Sequence, residues 1–95
     1  MRLTQKQIEA IKSNFNNVFG RGKIFLFGSR TDDSKRGGDI DLYIVADEHE
    51  NLVEKKVKFL VMLKREIGQQ KIDVVLNYDQ NRLIEVNARR EGVLL

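Results

Sequence analysis

The spacing of apolar residues along the chain predicts three helices. Thr4 is suited to cap a helix, with Gln7 three residues later, and apolar side chains then recur at helical spacing until Gly20. A longer helical pattern ends at Gly68, the residue type that commonly terminates a helix, and a shorter pattern follows near the C-terminus. The predicted helices cover residues 5–19, 51–67 and 81–90.

Three short segments between these helices have the composition of β-strands. The first is an apolar run bounded by Gly22 and Gly28, and the other two alternate apolar and polar residues, so that their polar side chains share one face. The predicted strands cover residues 23–27, 39–45 and 71–76. This order of elements predicts an α/β fold with a small mixed sheet of about three or more strands, in which helices cover one face and the other face is open.

Length and composition narrow the range of functions. With 95 residues, the chain has room for a single domain over residues 1–95. It contains no Cys and one His, so a disulfide framework, a thiolate zinc site and a His-cluster metal site are excluded. The sequence shows no membrane segment and no secretion signal, so we expect a cytoplasmic protein without a membrane partner.

The basic net charge does not by itself indicate a nucleic-acid partner. The formal net charge is +3, but the basic residues alternate with acidic ones along most of the chain. The five Phe and two Tyr fall mainly at core-like positions, which leaves few aromatic side chains for stacking on bases. We therefore do not expect general binding of nucleic acid.

Three aspartates are candidate metal ligands. Asp39 and Asp41 lie two residues apart in the second predicted strand, so they project from one face with Cα atoms about 7 Å apart. Mg²⁺ prefers a few carboxylates together with water and phosphate oxygens. Asp73 lies within an apolar strand, where a lone buried charge requires a compensating cation, whereas at a sheet edge it would simply be solvated.

The end of the first predicted strand is a candidate phosphate-binding turn. Gly28 allows the backbone to approach phosphate oxygens closely, and the N–H groups and hydroxyl that follow at Ser29 can bind them. Arg30 can add a charge-assisted contact to a triphosphate, with weaker candidates in Lys35 and Arg36. Aspartates two apart are common by themselves, but together with this turn and a third aspartate they favour phosphoryl-transfer chemistry.

Two other polar residues are left out of the predicted site. Tyr43 shares the predicted strand face with Asp39 and Asp41, but a tyrosine there more often fills space against the sheet. His49 lies among acidic residues just after the second strand, where a surface position is expected.

The candidate residues occur in three segments that resemble the minimal nucleotidyltransferases of the polymerase β-like superfamily. These segments are Gly28-Ser29-Arg30, Gly38-Asp39-Ile40-Asp41-Leu42 and Ile72-Asp73-Val74-Val75. The similarity extends to the C-terminal residues 88–95 and so covers nearly the whole chain. The sequence departs from the common pattern at Gly38, where a Ser often precedes the first Asp, and in a slightly short connection before it.

The resemblance implies a role for each candidate residue. Gly28 and Ser29 would hold the β- and γ-phosphates of a nucleoside triphosphate, with ATP the favoured substrate. Asp39 and Asp41 would ligate two Mg²⁺ ions, which Mn²⁺ could replace, and Asp73 would ligate the ion that activates the acceptor hydroxyl. Attack on the α-phosphorus would then release pyrophosphate.

The resemblance also implies a partner. Such proteins are often the antitoxin of HEPN/MNT toxin–antitoxin pairs, and the expected acceptor is a tyrosine hydroxyl of a HEPN-type protein, which would receive AMP. The apolar face of the helix over residues 51–67 and the apolar C-terminus are either this interface or ordinary core. Three alternatives stay open: a module that neutralises its partner by contact alone, transfer to a small molecule, and transfer to an RNA 3′ end. A homo-oligomer is compatible with each of them.

Overall fold

The computed structural model describes residues 1–34, 38–79 and 81–95. All six predicted elements are present, together with a short turn of 3₁₀ helix and a C-terminal strand that the sequence pattern does not predict. The helices are α1 (Gln5–Phe19), α2 (Leu52–Ile67) and α3 (Leu83–Glu91), the 3₁₀ turn is Gly28–Thr31, and the strands are β1 (Gly22–Phe27), β2 (Ile40–Ala46), β3 (Ile72–Leu76) and β4 (Val93–Leu94). Among the described residues, no helix combines the length and apolar character that a membrane span requires.

The first helix begins and ends where its local sequence predicts. The Thr4 hydroxyl accepts a hydrogen bond from the Gln7 backbone N–H at 3.1 Å, and the Gln7 side chain accepts one from the Thr4 N–H at 2.9 Å. This reciprocal pair satisfies two N–H groups that the helix start would otherwise leave without a partner. Gly20 ends the helix with a φ of 77°, a conformation that favours glycine.

The strands form one mixed sheet in the order β3-β2-β1-β4. β2 is antiparallel to β1 and parallel to β3, and β4 is antiparallel to β1. The parallel pair is joined through α2, as a crossover connection requires. β3 and β4 are the two edge strands, and β2 lies between β1 and β3.

The main hydrophobic core lies between one face of this sheet and the helices α1 and α2. The alternation predicted for the strands is observed, because every second residue of β2 and β3 points into this core. The most deeply buried apolar side chains of this core are Ile11, Leu26, Ile40, Leu42, Ile44, Phe59 and Leu63. Burial of these side chains fixes which face of each strand carries the polar residues.

The helical period predicted for α2 is correct, but not all of its apolar residues enter the core. Leu52, Phe59 and Leu63 are buried, whereas Val53 and Val57 are exposed. Val57 keeps 56% of its surface accessible. The apolar residues of α2 therefore extend beyond the stripe that the core covers.

The expectation that helices cover only one face of the sheet is wrong. α3 packs on the opposite face, where Tyr43 is 1% exposed and Ala88 is fully buried. The Tyr43 ring also lies beside Phe25, with ring centroids 6.1 Å apart. Sequence periodicity could not show this, because a nine-residue helix with mixed polarity does not reveal which face of the sheet it meets.

A buried carboxylate anchors α3 to the sheet. Glu85 has no exposed surface, and its oxygens accept hydrogen bonds from the Tyr43 hydroxyl at 2.9 Å, the Asp79 N–H at 2.8 Å and Arg82 Nε at 2.8 Å. Burial by itself raises the pKa of Glu85, but these hydrogen bonds and the charge of Arg82 outweigh it and hold the pKa below its ordinary value of 4.5. Glu85 is therefore a structural carboxylate, distinct from the candidate site.

Replacement of Glu85 is expected to destabilise the fold. Glu85→Ala leaves the Tyr43 hydroxyl and the Asp79 N–H without their buried acceptor, so urea denaturation at pH 7 should show a loss of about 3 kcal/mol. Because the folded-state pKa is depressed, the contribution of this charge is present above pH 4.5 and is lost as the pH falls through the folded-state pKa. The difference between the variant and the wild type should therefore shrink in acid.

The matched control for this prediction is Glu91→Ala, at the exposed end of the same helix. Its only described ion pair is a 3.9 Å contact with Arg90, so its loss should cost about 0.5 kcal/mol or less. Equal losses in the two variants would contradict the anchoring role of Glu85.

Candidate active site

The predicted site residues meet at one end of the sheet. β1 ends where β2 begins, because these strands are antiparallel, and the register places Phe27 opposite Asp41. The parallel register of β2 and β3 places Asp41 opposite Asp73. Gly28 directly follows Phe27, so the candidate phosphate-binding turn lies beside the carboxylates. Strand pairing thus brings together three separate segments of the sequence, which carry Gly28, Asp41 and Asp73.

Burial and the two neighbouring aspartates raise the cost of ionising Asp41. Burial raises the pKa of Asp41 above its ordinary value of 3.8, and the charges of Asp73 and Asp39 raise it further, against a smaller opposing effect of Lys71. Asp39 lies just before β2, and its carboxylate is 3.4 Å from the Lys71 ammonium. Grouped carboxylates with a raised pKa are typical of cation sites and of acid–base sites.

Of the two positions considered for Asp73, the structure shows the solvated sheet edge and not the buried strand, because β3 is an edge strand and Asp73 is exposed. Its charge therefore requires no compensation from burial. What distinguishes Asp73 is its register opposite Asp41, since neighbouring strands lie about 4.8 Å apart.

Two glycines allow the turn to pack tightly against the site. Gly28 has a φ of 76°, and a Cβ atom at this position would collide with the carboxylate of Asp41. Gly38 has a φ of 92°, and a Cβ atom there would collide with the Ser29 hydroxyl. The second contact explains the glycine that immediately precedes Asp39. Both positions require a residue without a side chain.

The guanidinium of Arg30 is engaged within the protein. It donates to the Gly38 carbonyl at 3.2 Å, to the Arg2 carbonyl at 3.0 Å and to the Gln70 side chain at 3.4 Å. Its predicted contact with a triphosphate stays a prediction. The other two basic candidates, Lys35 and Arg36, lie outside the described residues.

Sequence reasoning missed Arg2, which contacts the same turn. The Arg2 side chain donates to the Ser29 carbonyl at 2.8 Å and to the Asp32 carbonyl at 2.9 Å. Its backbone N–H donates to the Arg30 carbonyl at 2.7 Å. Arg2 precedes Ser29 by 27 residues, so no local pattern in the sequence connects them.

The donor set fits a hard divalent cation. Within residues 1–34, 38–79 and 81–95, no three His, Asp or Glu side chains converge as they stand on one metal position. Asp39 instead pairs with Lys71, and such an exposed ion pair costs little to break. All the available ligand atoms are carboxylate oxygens, which suit Mg²⁺ and Mn²⁺. Gly28 also approaches the Asp41 carboxylate closely, so the candidate phosphate-binding turn lies directly beside this carboxylate.

Tyr43 and His49 lie outside this site, as expected. Tyr43 follows Asp41 by two residues on the same face and is buried beneath α3, so it fills space. A cavity of about 460 Å³ lies beyond Tyr43 and is lined in part by Val45 and Tyr78, but by none of the three site aspartates. His49 is exposed. The carboxylate end of the sheet is therefore the site with a coherent chemistry.

Removing the charge of Asp41 is expected to stabilise the protein without metal. Folding raises the pKa of Asp41, so its ionisation destabilises the folded state. This cost is absent below pH 3.8, increases above pH 3.8 and is complete above the folded-state pKa. Asp41→Asn should therefore have a higher Tm than the wild type at pH 7 in EDTA, and the difference should vanish in acid. Calorimetry over a pH series measures this.

The control for this experiment is Asp47→Asn, at an exposed position just after β2. Its Tm should follow that of the wild type at every pH. An Asp41→Asn variant that is less stable than the wild type at pH 7 would show that repulsion and burial do not dominate at this carboxylate.

Comparison with known proteins agrees with this geometry. The family model described as "Polymerase beta, Nucleotidyltransferase" matches residues 6–95, a range that contains the glycines, the serine and all three aspartates of the site. The comparison with curated proteins finds no match. The match covers nearly the whole chain, and the mixed α/β sheet with the aspartates at one end agrees with it. The chain belongs to the polymerase β-like nucleotidyltransferase family, and its function is of the nucleotidyltransferase type.

Proposed function

We propose that this protein transfers a nucleotide from a nucleoside triphosphate to an acceptor hydroxyl. The favoured reaction is transfer of AMP from ATP. The observation that carries this proposal is the register that sets Gly28 beside Asp41 and Asp41 beside Asp73. A turn able to approach phosphate and a group of carboxylates able to hold cations thus share one end of the sheet. Neither feature has this meaning alone.

The carboxylates are proposed to hold two Mg²⁺ ions together with the triphosphate. Asp39 and Asp41 would contact both ions, and Asp73 would contact the ion on the acceptor side. Bound ions would neutralise phosphate charge and lower the pKa of the acceptor hydroxyl. The raised pKa of Asp41 supports this role, because burial and the charges of Asp73 and Asp39 make its ionised form unfavourable, and a bound cation would compensate for both.

The turn is proposed to bind the β- and γ-phosphates. The Gly28 carbonyl already accepts a hydrogen bond from the Thr31 hydroxyl at 2.7 Å, and the Ser29 carbonyl accepts one from the Asp32 N–H at 3.1 Å. These internal bonds hold both carbonyl oxygens, which would otherwise repel a phosphate. The preformed turn would then orient the triphosphate at little entropic cost.

The reaction itself requires no nucleophilic side chain. The acceptor oxygen forms a bond to the α-phosphorus while the bond from this phosphorus to the bridging oxygen of the β-phosphate breaks. Pyrophosphate leaves, and the hydroxyl proton passes to solvent. Asp73 is the exposed member of the three carboxylates, so the acceptor is proposed to enter on its side.

The acceptor is proposed to be a hydroxyl group of a HEPN-type partner protein that this chain silences. A tyrosine hydroxyl is the favoured acceptor. An exposed apolar stripe on α2 supports a protein partner. Val53, Val57 and Val61 recur every fourth residue and keep 62%, 56% and 46% of their surface exposed. An apolar stripe that the core does not use is typical of an interaction surface.

The direct test is transfer from α-labelled ATP with Mg²⁺, using the purified protein with and without its co-purifying partner. We expect label on the partner, and a loss of at least about 100-fold in Asp39→Asn and Asp73→Asn, because each removes a metal ligand. Asp47→Asn, away from the site, should retain the wild-type rate. Label on RNA or on a small molecule would keep the chemistry and replace the acceptor.

A second variant separates chemistry from partner binding. Val57→Glu places a charge in the middle of the α2 stripe, so it should lose label transfer to the partner while it binds ATP as the wild type does. If no label moves from ATP to any acceptor while the wild-type protein still inhibits the partner, the protein is a module that neutralises its partner by contact alone, and the enzymatic proposal fails. Full transfer by Val57→Glu would exclude the α2 stripe as the interface.

A further inference from the structure

Two arginines, Arg2 and Arg30, form hydrogen bonds with the candidate phosphate-binding turn and with each other. The Arg2 guanidinium spans the turn and donates to the carbonyls of Ser29 and Asp32, at 2.8 Å and 2.9 Å. Arg30 in turn bonds to Arg2. Its guanidinium donates to the Arg2 carbonyl at 3.0 Å, and its carbonyl accepts a hydrogen bond from the Arg2 N–H at 2.7 Å. The side chain of Arg30 also reaches the Gly38 carbonyl. We call this set of contacts between Arg2, Arg30 and the turn the arginine clamp.

The clamp has a direct consequence for the N–H groups of the turn. A peptide unit is planar, so its carbonyl and the following N–H point in opposite directions. The bond from Arg2 to the Ser29 carbonyl therefore fixes the direction of the Arg30 N–H, and the bond to the Asp32 carbonyl fixes that of the Asp33 N–H. Both bonds carry a full positive charge on the donor, which makes them stronger than bonds between neutral groups.

The clamp also provides hydrogen-bond donors for the carbonyl oxygens of Ser29, Arg30 and Asp32. The clamp lies close to the carboxylate segment, since the Arg2 Nη2 atom is 3.9 Å from the position that a Cβ atom would take at Gly38, the residue before Asp39. The same Cβ would collide with the Ser29 hydroxyl. Arg2 thus lies where the turn and the start of the carboxylate segment meet.

We propose that Arg2 is a positioning residue for the triphosphate: its guanidinium orders the Gly28–Ser29 turn so that the turn binds phosphate. This inference rests on the proposed function. Arg2 precedes residues 6–95, the range that matches the family, so the match does not assign it a role. Arg2 acts through the turn, and its loss therefore weakens ground-state binding of the triphosphate more than it slows the chemical step.

The test measures binding of ATP and of inorganic tripolyphosphate, each with Mg²⁺, by isothermal titration calorimetry on the full chain. Arg2→Ala should weaken both ligands about tenfold, and by the same factor, because the effect lies at the phosphates. Arg2→Lys should fall in between, since an ammonium keeps the charge but lacks the planar fork that reaches two carbonyls. Added guanidinium ion should partly restore binding in Arg2→Ala. The KM for ATP should rise while kcat stays within about twofold.

The matched control is Arg21→Ala, which removes an exposed arginine just before β1 and should bind both ligands as the wild type does. Thermal unfolding of each variant without ligand separates weak binding from unfolding. Should Arg2→Ala fail to fold, Arg2→Lys carries the test: a wild-type Tm with weaker tripolyphosphate binding supports the inference, and wild-type binding overturns it.

The remaining outcomes distinguish this inference from the function on which it rests. If the wild type binds neither ATP nor tripolyphosphate, the proposed function fails and the inference fails with it. If the wild type binds both and Arg2→Ala binds them equally well, only the role of Arg2 is overturned. A lower kcat with an unchanged KM would also overturn it, because such a result places Arg2 in the chemical step.

Discussion

The register of three neighbouring strands is the constraint on which the site depends. It places Phe27 opposite Asp41 and Asp41 opposite Asp73, which brings the turn after β1 to the carboxylates. A slip of one residue would turn every polar side chain of a strand into the core. Burial of Ile40, Leu42 and Ile44 against α1 and α2 prevents such a slip. The hydrophobic core therefore determines where the candidate site can form.

Two carboxylates on the α3 side of the sheet, Glu85 and Asp41, have pKa values shifted in opposite directions. Beneath α3, the Glu85 carboxylate is fully buried but has three hydrogen-bond donors, so its charge is stabilised and its pKa is lowered. At the end of the sheet, Asp41 lies near two other carboxylates, and its pKa is raised. The first arrangement secures the fold. The second is unfavourable without a ligand, as expected where binding of a cation and a triphosphate supplies the compensation.

The sequence was sufficient for features that depend on local pattern. Helix limits, strand alternation and the capping pair at Thr4 were predicted because each depends on neighbouring residues. Features that depend on packing between distant parts of the chain were not predicted. β4 has only two residues, the position of α3 over Tyr43 depends on a contact between distant elements, and Arg2 reaches a turn far along the chain. The sequence could not decide whether Asp73 is buried or solvated, since strand order, and not composition, makes β3 an edge strand.

We propose that the Gly28–Ser29 turn and the three aspartates form one binding site for a metal–nucleotide complex. Paramagnetic broadening of backbone amide NMR signals by substoichiometric Mn²⁺, with a non-hydrolysable ATP analogue, tests it most directly. We predict that the amides of residues 28–30, 39–41 and 73 broaden first and together. Broadening centred instead on the cavity beside Tyr78, or no localised broadening at all, would contradict the account.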